Sequence, residues 1–244
     1  MVERADSAPV GTFYVPRPWG ATVELDEAAA HHANVKRLRA GDVVRLTDGG
    51  GRRSMGLIEE LAKRRMSVSV DASSIVDDAP QRIVELWTPV GDRDRMLWLA
   101  EKAVELGVSV WRPILYQRSR SVSPRGEGEA FNEKVRLRMV SALEQSGGAW
   151  LPTRHAESAL EAALAAASGI EGVVLDGAAG PIRELRISLN TPVALAFGPE
   201  GGISSEERRA FADAGWRAGS LGPNVLRFET AGIAALAIIR SLTA

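Results

Sequence analysis

The sequence predicts an α/β protein in which a domain with a mainly parallel sheet follows a small β-rich domain. The first part of the chain contains short strand-length segments and one helix, whereas strands and helices alternate later, as is typical of a parallel sheet. A polar segment, Ser73–Gln81, separates the two patterns. The 244 residues suffice to bury a core. We therefore predict a first domain over residues 1–76 and a second over residues 77–244.

The first domain is predicted to be a small β-barrel, because several short strands accompany a single helix. Gly, Pro or Asp punctuate the strands. The helix covers Asp26–Val35, where Asp26 can cap its start. The glycine-rich segment Leu46–Arg53 predicts a hairpin connection. The predicted strands are Thr12–Val15, Ala21–Leu25, Val43–Thr47, Ser54–Glu59 and Met66–Val70.

The second domain alternates apolar strands with amphipathic helices. Its longest pattern covers Arg93–Gly107, with an apolar face and a glycine that ends the helix. The predicted strands are Arg82–Val90, Val108–Tyr116, Gly172–Gly177, Pro192–Phe197 and a short one near Ala218–Leu221. The other predicted helices are Asn132–Gln145, Glu157–Ala167, Ser205–Ala214 and Gly232–Leu242, of which the last is a core helix or a dimer face.

Composition excludes several classes of chemistry. The chain has no cysteine, so disulfides, thiolate zinc sites, iron–sulfur clusters and cysteine nucleophiles are absent. Its three histidines lack metal-ligand spacing, and we expect no metal site. The sequence shows neither a signal-peptide pattern nor an apolar run that could span a bilayer. We therefore expect a cytoplasmic protein without a membrane partner.

The net charge of −1 hides two basic segments. One lies between His31 and Arg65, and the other contains Arg112, Arg118, Arg120 and Arg125. Such residues fit either a solvated face or a phosphate-rich partner, and their concentration in two segments favours the partner.

Three glycine-rich turns follow strands of the second domain, at Leu175–Gly180, Phe197–Gly202 and Leu221–Arg227. Ligands of open α/β sheets bind beyond the carboxyl ends of strands, and glycine lets backbone approach a ligand closely. We therefore expect these three turns to form a binding site.

The turn Phe197–Glu207 combines two features. Ser204 and Glu207 have the spacing of a capping box that starts the next helix. Glu200 is not part of this capping box, so its carboxylate is available to bind a ligand. The turn lacks a P-loop and a dinucleotide fingerprint, and a carboxylate would repel phosphate. S-adenosylmethionine (SAM), with its adenosine and positive centre, suits backbone hydrogen bonds and a carboxylate better.

Two further segments carry candidate functional groups. Arg227 and Glu229 form either a surface ion pair or a clamp in which the arginine holds a phosphate or base and the glutamate buttresses it. Glu144 and Gln145 either end a helix or hydrogen-bond a base edge.

Taken together, the chain resembles the bacterial RsmE-type enzymes of the SPOUT superfamily, which methylate N3 of a uridine in 16S ribosomal RNA. The resemblance depends on the order and spacing of short motifs along nearly the whole chain. These motifs are His32 with Val35–Asp42, Asp48–Gly49, Glu101–Val108, Glu144–Ser146, Gly198–Gly202 and Leu221–Ala231.

The resemblance implies a PUA-like RNA-binding barrel, a SPOUT domain with a deep trefoil knot, and a homodimer that acts on 16S rRNA or the small ribosomal subunit. SAM would lie in the three turns, held by Leu175, Asp176, Gly177, Phe197, Gly198, Pro199, Glu200, Gly201, Leu221, Gly222, Val225, Leu226 and Arg227. RNA would contact His32, Lys36, Arg37, Arg39, Arg118, Arg120, Glu144 and Gln145.

For catalysis we expect Arg227 to stabilise the anion that forms as N3 loses its proton, with Glu200 or Glu229 as an orienting or basic group. The chain departs from the family pattern at Val90, Gly148, Asn224 and Phe228, where the family has Lys, Arg, Arg and Thr. These departures remove positive charge. The alternatives are therefore a catalytically altered or inactive RNA-binding homologue, or a methyltransferase for another rRNA or tRNA position.

Overall fold

The structure is a computed structural model that describes residues 9–121, 125–188 and 190–242, with only the backbone at Arg120 and Ser121. The chain divides into two compact units. The first comprises Met1–Pro80 and Val140–Leu151, and the second comprises Gln81–Met139 and Pro152–Ala244. The first unit therefore extends past the predicted boundary at residue 76 and also includes the end of a helix that the sequence assigned to the second domain.

The first unit contains a six-stranded sheet and an apolar core. Five of its strands correspond to the predicted ones, and β6 was not predicted. The strands run in the order β1-β3-β4-β5-β2, and β6 pairs with β4. All pairs are antiparallel except β1 with β3. Closure of this sheet into a barrel stays a prediction. The elements are β1 Thr12–Tyr14, β2 Thr22–Leu25, α1 Glu27–Val35, β3 Val43–Thr47, β4 Arg52–Leu61, β5 Met66–Val70 and β6 Val76–Asp77.

Polar side chains shape the local structure of this unit as expected. The carboxylate of Asp26 accepts the Ala29 N–H at 3.0 Å and so caps α1. In the hairpin between β3 and β4, the buried Asp48 carboxylate accepts the N–H groups of Gly50 at 2.7 Å and Arg52 at 2.9 Å and forms an ion pair with Arg17.

The predicted linker Ser73–Gln81 is wrong in its first part. A 3₁₀ turn at Ala72–Ser74 and strand β6 occupy it. Arg52 and Arg53 of β4 form ion pairs with Asp77 at 2.8 Å and Asp78 at 2.5 Å. The polarity that suggested a linker therefore reflects carboxylates that pair with a basic neighbouring strand.

The second unit contains a seven-stranded sheet in the order β10-β8-β7-β12-β11-β13, with β9 paired to β8. Every pair in it is parallel, which confirms the predicted α/β class. The trefoil knot stays a prediction. The elements are β7 Val84–Pro89, α2 Arg93–Glu105, β8 Val110–Leu115, α3 Glu129–Ser146, β9 Thr153–Arg154, β10 Ser158–Ala159, α4 Leu160–Ala166, β11 Glu171–Leu175, β12 Val193–Ala196, α5 Ser205–Asp213, β13 Arg217–Gly219 and α6 Phe228–Ser241.

Three helix starts differ from the prediction by three or four residues. Helix α3 begins at Glu129 instead of Asn132. The other two differ for reasons of packing. Helix α6 begins at Phe228, four residues before the predicted start, because the Phe228 ring is buried against Gly91. Helix α4 begins at Leu160, since the preceding residues form β10 beside β8. Helices α2 and α6 pack together, and Gly232 leaves room between them for Phe197 and Leu99. Among the described residues, no helix is both long and apolar enough to cross a membrane.

Candidate functional site

The candidate site lies where three neighbouring strands end. Strand β11 stands between β12 and β13, and all three run parallel, so their carboxyl ends meet at one edge of the sheet. The three glycine-rich turns of the sequence follow these ends and surround a cavity of about 540 Å³. Cavities of about 300–1,000 Å³ hold small-molecule ligands. The expected convergence of the three turns is therefore present.

The cavity is lined by all the residues that the sequence assigned to the cofactor except Gly201. Those residues are Leu175, Asp176, Gly177, Phe197, Gly198, Pro199, Glu200, Leu221, Gly222, Val225, Leu226 and Arg227. Gly201 lies beside them, and its carbonyl accepts a hydrogen bond from Arg118 Nη1 at 2.9 Å. Contact of these residues with a cofactor stays a prediction.

Sequence reasoning missed several lining residues. Gly202, Pro223 and Asn224 lie inside the predicted turns but were not assigned to the cofactor. Ile203, Gly219 and Ser220 flank the turns, so a slightly wider window would have included them. Arg208, Phe228 and Ala231 belong to helices α5 and α6. Phe228 and Ala231 belong to the motif Leu221–Ala231, although they were not assigned to the cofactor. Nothing in the local pattern distinguished Arg208, because its place depends on how α5 packs.

The turn after β12 is held rigidly by its own backbone. The Gly202 N–H donates to the Pro199 carbonyl at 2.7 Å, and Gly202 has a φ of +73°, which favours glycine. A Cβ on Gly198 would lie 2.6 Å from Ile203 Cγ1 and 3.1 Å from backbone atoms of Gly202 and Ile203. Both positions therefore require glycine for the turn to keep its shape.

The predicted capping box is confirmed, and Glu207 has an additional contact. Ser204 Oγ accepts the Glu207 N–H at 3.2 Å, and Glu207 Oε2 accepts the Ser204 N–H at 2.8 Å. Glu207 Oε1 accepts the N–H of Gln117 at 2.7 Å. Since Arg118 also donates to Gly201, the segment after β8 is tied to both ends of this turn.

Two arginines line the cavity, and they differ in their partners. Arg208 Nε donates to Asp176 Oδ2 at 2.7 Å. The pKa of Asp176 lies below its ordinary value, because its carboxylate accepts the Ala178 N–H and pairs with Arg208. The exposed Arg227 guanidinium, in contrast, has no hydrogen bond or ion pair with any residue that the structure describes. Arg227 is therefore available to an anionic ligand.

Arg95 is the partner that sequence reasoning missed for both candidate acids. Its Nη1 lies 3.1 Å from Glu200 Oε1, and its Nε lies 4.0 Å from Glu229 Oε1. Sequence proximity suggested Arg227 as the partner of Glu229, and this is wrong. Arg227 precedes α6 in an extended conformation, whereas Glu229 is buried in the first turn, on the side of α2.

The RNA-binding candidates of α1 and the following turn are mostly exposed. Lys36, Arg37 and Arg39 are exposed, and Arg37 has a φ of +60°. His32 is half-buried with its ring edge-on to Phe13, and burial together with Lys36 lowers its pKa. Lys36, Arg37 and Arg39 have no ion pair with a described residue and are available to phosphate, whereas His32 belongs partly to the core.

The remaining RNA-binding candidates have mixed surroundings. Glu144 is half-buried, where its Oε1 accepts the Tyr14 N–H at 2.9 Å, and burial raises its pKa. Gln145 is exposed. Arg118 contacts the cavity turn, and the side chain of Arg120 lies outside the described residues. RNA contact stays a prediction for the whole set.

The four departures from the family pattern have different surroundings. Val90 is completely buried. Phe228 is buried against Gly91. Asn224 is exposed and lines the cavity, and Gly148 is half-buried. Only Asn224 removes a charge from the cavity itself.

Comparison with known proteins agrees with this geometry. A family model for the RNA methyltransferase domain matches residues 78–240, and one for the RNA methyltransferase PUA domain matches residues 25–71. The fold and the strand-end cavity thus define the class, an RNA methyltransferase with a PUA domain.

The relatives narrow the class. Ribosomal RNA small subunit methyltransferase E of Mycobacterium bovis is 30% identical over 233 residues, which cover 91% of this chain and 87% of the relative. The crystal structure of a ribosomal RNA small subunit methyltransferase E from Neisseria gonorrhoeae, bound to SAM, has a TM-score of 0.83 at 27% identity and covers 95% of this chain and 97% of its own. A Legionella pneumophila structure in complex with SAM has a TM-score of 0.82 at 26% identity and covers 97% of this chain and 98% of its own. The chain belongs to the family of ribosomal RNA small subunit methyltransferases E.

Proposed function

We propose that this protein is a SAM-dependent methyltransferase that modifies N3 of a uridine in 16S ribosomal RNA. The observation that carries the proposal is the cavity at three adjacent strand ends, which is lined by Arg227, an arginine without an ion pair among the described residues. The relatives from Mycobacterium bovis and Neisseria gonorrhoeae support the substrate class, since both are called ribosomal RNA small subunit methyltransferase E.

The cavity fits SAM in size and in its backbone. Gly177 and Gly222 line it, and a Cβ on either would meet no atom within 4 Å, so ligand atoms can approach the main chain there. Leu175, Leu221 and Leu226 offer apolar surface for an adenine ring. When bound, SAM supplies an electrophilic methyl group on a sulfonium.

The chain's own residues would activate the acceptor. A uridine N3 becomes nucleophilic as it loses its proton, and negative charge then spreads to the neighbouring carbonyl oxygens. Arg227 is placed to stabilise that charge, since no carboxylate among the described residues neutralises it. Glu200 or Glu229 is the proton acceptor or orienting group.

The RNA would be held partly by the first unit. Lys36, Arg37 and Arg39 are suited to backbone phosphates because they are exposed and close in sequence. Because N3 lies on the Watson–Crick edge, the target uridine must be single-stranded or flipped out. We further propose that the protein is a cytoplasmic homodimer with a trefoil-knotted second domain.

Mass mapping of methyl transfer tests the proposal. The purified chain is titrated with SAM by calorimetry and then incubated with SAM and small subunits from a strain that lacks this protein. We expect one methyl group at N3 of one uridine in 16S rRNA. Subunits from the parent strain are the control, because their site is already modified.

Two results would favour the alternatives. Failure to bind SAM, with RNA binding retained, would identify an RNA-binding homologue without catalysis. Transfer of the methyl group to tRNA, or to another rRNA position, would leave the enzyme class intact and change the substrate.

A further inference from the structure

Arg95 of helix α2 is the focus of a charge network that joins three separate parts of the second unit. Its guanidinium faces Glu200 in the turn after β12 and Glu229 at the start of α6. The side chain of Arg95 is only one-third exposed, as is that of Glu200, and that of Glu229 is 10% exposed. Partial burial makes such a network stronger than a surface ion pair.

The position of Arg95 is itself well fixed. Asp92 caps α2, and its Oδ1 accepts the Arg95 N–H at 3.0 Å and the Asp94 N–H at 3.1 Å. The guanidinium can donate in two directions from one rigid plane, through Nη1 and Nε. A lysine ammonium at this position would lack these two donors in a fixed planar arrangement.

Glu200 depends on Arg95 for the direction of its carboxylate. The backbone around Glu200 is held by Pro199 and by the Gly202-to-Pro199 hydrogen bond, so the freedom that remains is in the side chain. Arg95 holds Oε1, while Oε2 has no hydrogen-bond partner among the residues that the structure describes. One oxygen is thus anchored and the other can accept a hydrogen bond.

Glu229 depends on Arg95 for charge compensation. Its Oε2 is buried and has no hydrogen-bond partner within the described part of the chain. A buried carboxylate is costly without an opposite charge, and Arg95 is the cation that faces it. The same arginine therefore keeps two carboxylates together near the cavity that would otherwise repel each other.

We infer that Arg95 is a positioning residue of the methyl-transfer site, which aims the unbonded oxygen of Glu200 into the cavity to accept a hydrogen bond from the substrate base. This inference rests on the proposed function, because it concerns how the acceptor is oriented. Arg95 itself does not line the cavity, so it acts through Glu200.

A double-mutant cycle tests the inference. Arg95→Met, Glu200→Gln and the double variant are compared with the parent protein in kcat for methyl transfer and in Kd for SAM. We expect Arg95→Met to lower kcat about 10- to 100-fold, as misplacement of a reacting group does, and to change the Kd less. In the Glu200→Gln background the same substitution should lower kcat only slightly further.

A second readout does not need the cofactor. The same four proteins are unfolded in urea without SAM, and the effects of the two substitutions on unfolding free energy should again be non-additive. If Arg95→Met fails to fold, Arg95→Lys is used instead. Lysine keeps the positive charge beside Glu229 but lacks the planar pair of donors. We expect Arg95→Lys to show the same coupling with a smaller loss of kcat.

Lys102→Met is the matched control. Lys102 belongs to the same helix and also joins two carboxylates, Glu101 at 2.8 Å and Glu105 at 2.7 Å, but does not contact the cavity turns. Its removal should leave kcat unchanged.

The outcomes separate this inference from the proposed function. An active parent protein with additive effects of Arg95→Met and Glu200→Gln would overturn the positioning role alone. A loss of kcat in Lys102→Met equal to that in Arg95→Met would do the same. A parent protein that transfers no methyl group would overturn the proposed function, and this inference with it.

Discussion

Glu207 accepts the backbone N–H of Gln117 at 2.7 Å with the carboxylate oxygen that its helix cap does not use. The two residues are 90 positions apart and belong to the start of α5 and to the segment after β8. Because Glu207 is buried, each of its oxygens replaces water for one backbone N–H. This single side chain therefore starts a helix and also anchors the turn that lines the cavity.

The first prediction concerns this anchor. Glu207→Gln replaces one acceptor oxygen by an NH₂ group, so one buried N–H would face a donor instead of an acceptor. We expect the unfolding free energy to fall by about 1–3 kcal/mol, the usual cost of an unsatisfied buried polar group. Urea unfolding measures it. The neighbouring Glu206→Gln, at an exposed position, is the control and should change little. Equal stability of the two variants would show that the anchor is unimportant.

The second prediction concerns the shape of the cavity turn. Gly198→Ala places a methyl group 2.6 Å from Ile203 Cγ1 and 3.1 Å from backbone, so the turn must shift. We expect SAM affinity to fall about tenfold or more, since each 1.4 kcal/mol of lost binding is tenfold. Calorimetry checks this. Gly180→Ala is the control, because its added methyl group meets no atom within 4 Å. This variant should bind SAM normally. Normal binding by Gly198→Ala would mean that this turn does not contact the cofactor.

The third prediction concerns Arg227. Arg227→Ala removes the cavity arginine that has no ion pair with a described residue. We expect kcat for methyl transfer to fall about 10²-fold, as when one donor to a developing charge is removed. The Kd for SAM should change less. Arg209→Ala, an exposed arginine of α5 outside the cavity lining, is the control. Unchanged methylation of small-subunit RNA by Arg227→Ala would exclude the electrostatic role.

The fourth prediction concerns the pH dependence of stability. Burial raises the pKa of Glu144 in the folded state above its ordinary value. As pH rises between these two values, the unfolded state loses the proton first, so the folded state binds more protons and the unfolding free energy falls. Below the ordinary value both states are protonated and the group has no effect.

Glu144→Gln should remove this contribution while keeping an oxygen for the Tyr14 N–H. Urea unfolding between about pH 4 and pH 7 should therefore show a smaller decline for the variant than for the parent protein. Glu129→Gln, at an exposed position of the same helix, should follow the parent curve. Identical curves for all three proteins would contradict the prediction.

Much of the fold could be predicted because its signals are local. Strands β3 and β5 have the predicted bounds of short segments between Gly, Pro or Asp residues, and α1 begins where Asp26 can cap it. The helix starts at Phe228 and Leu160 were missed, since burial against other segments overrode local propensity there. A polar segment was also mistaken for a linker, because its carboxylates pair with arginines that are 25 residues away in sequence.

The site shows the same division between local and remote signals. By itself, the sequence determined the two-part α/β class, the three glycine-rich turns at strand ends and the family resemblance. These depend on backbone geometry and residue order, which short patterns record. Only the tertiary structure decided that Arg95 joins Glu200 to Glu229, that Glu207 holds Gln117, and that Arg227 pairs with none of the described residues. Such pairings depend on which side chains meet after segments that are distant in sequence pack together. No local sequence pattern determines which side chains those are.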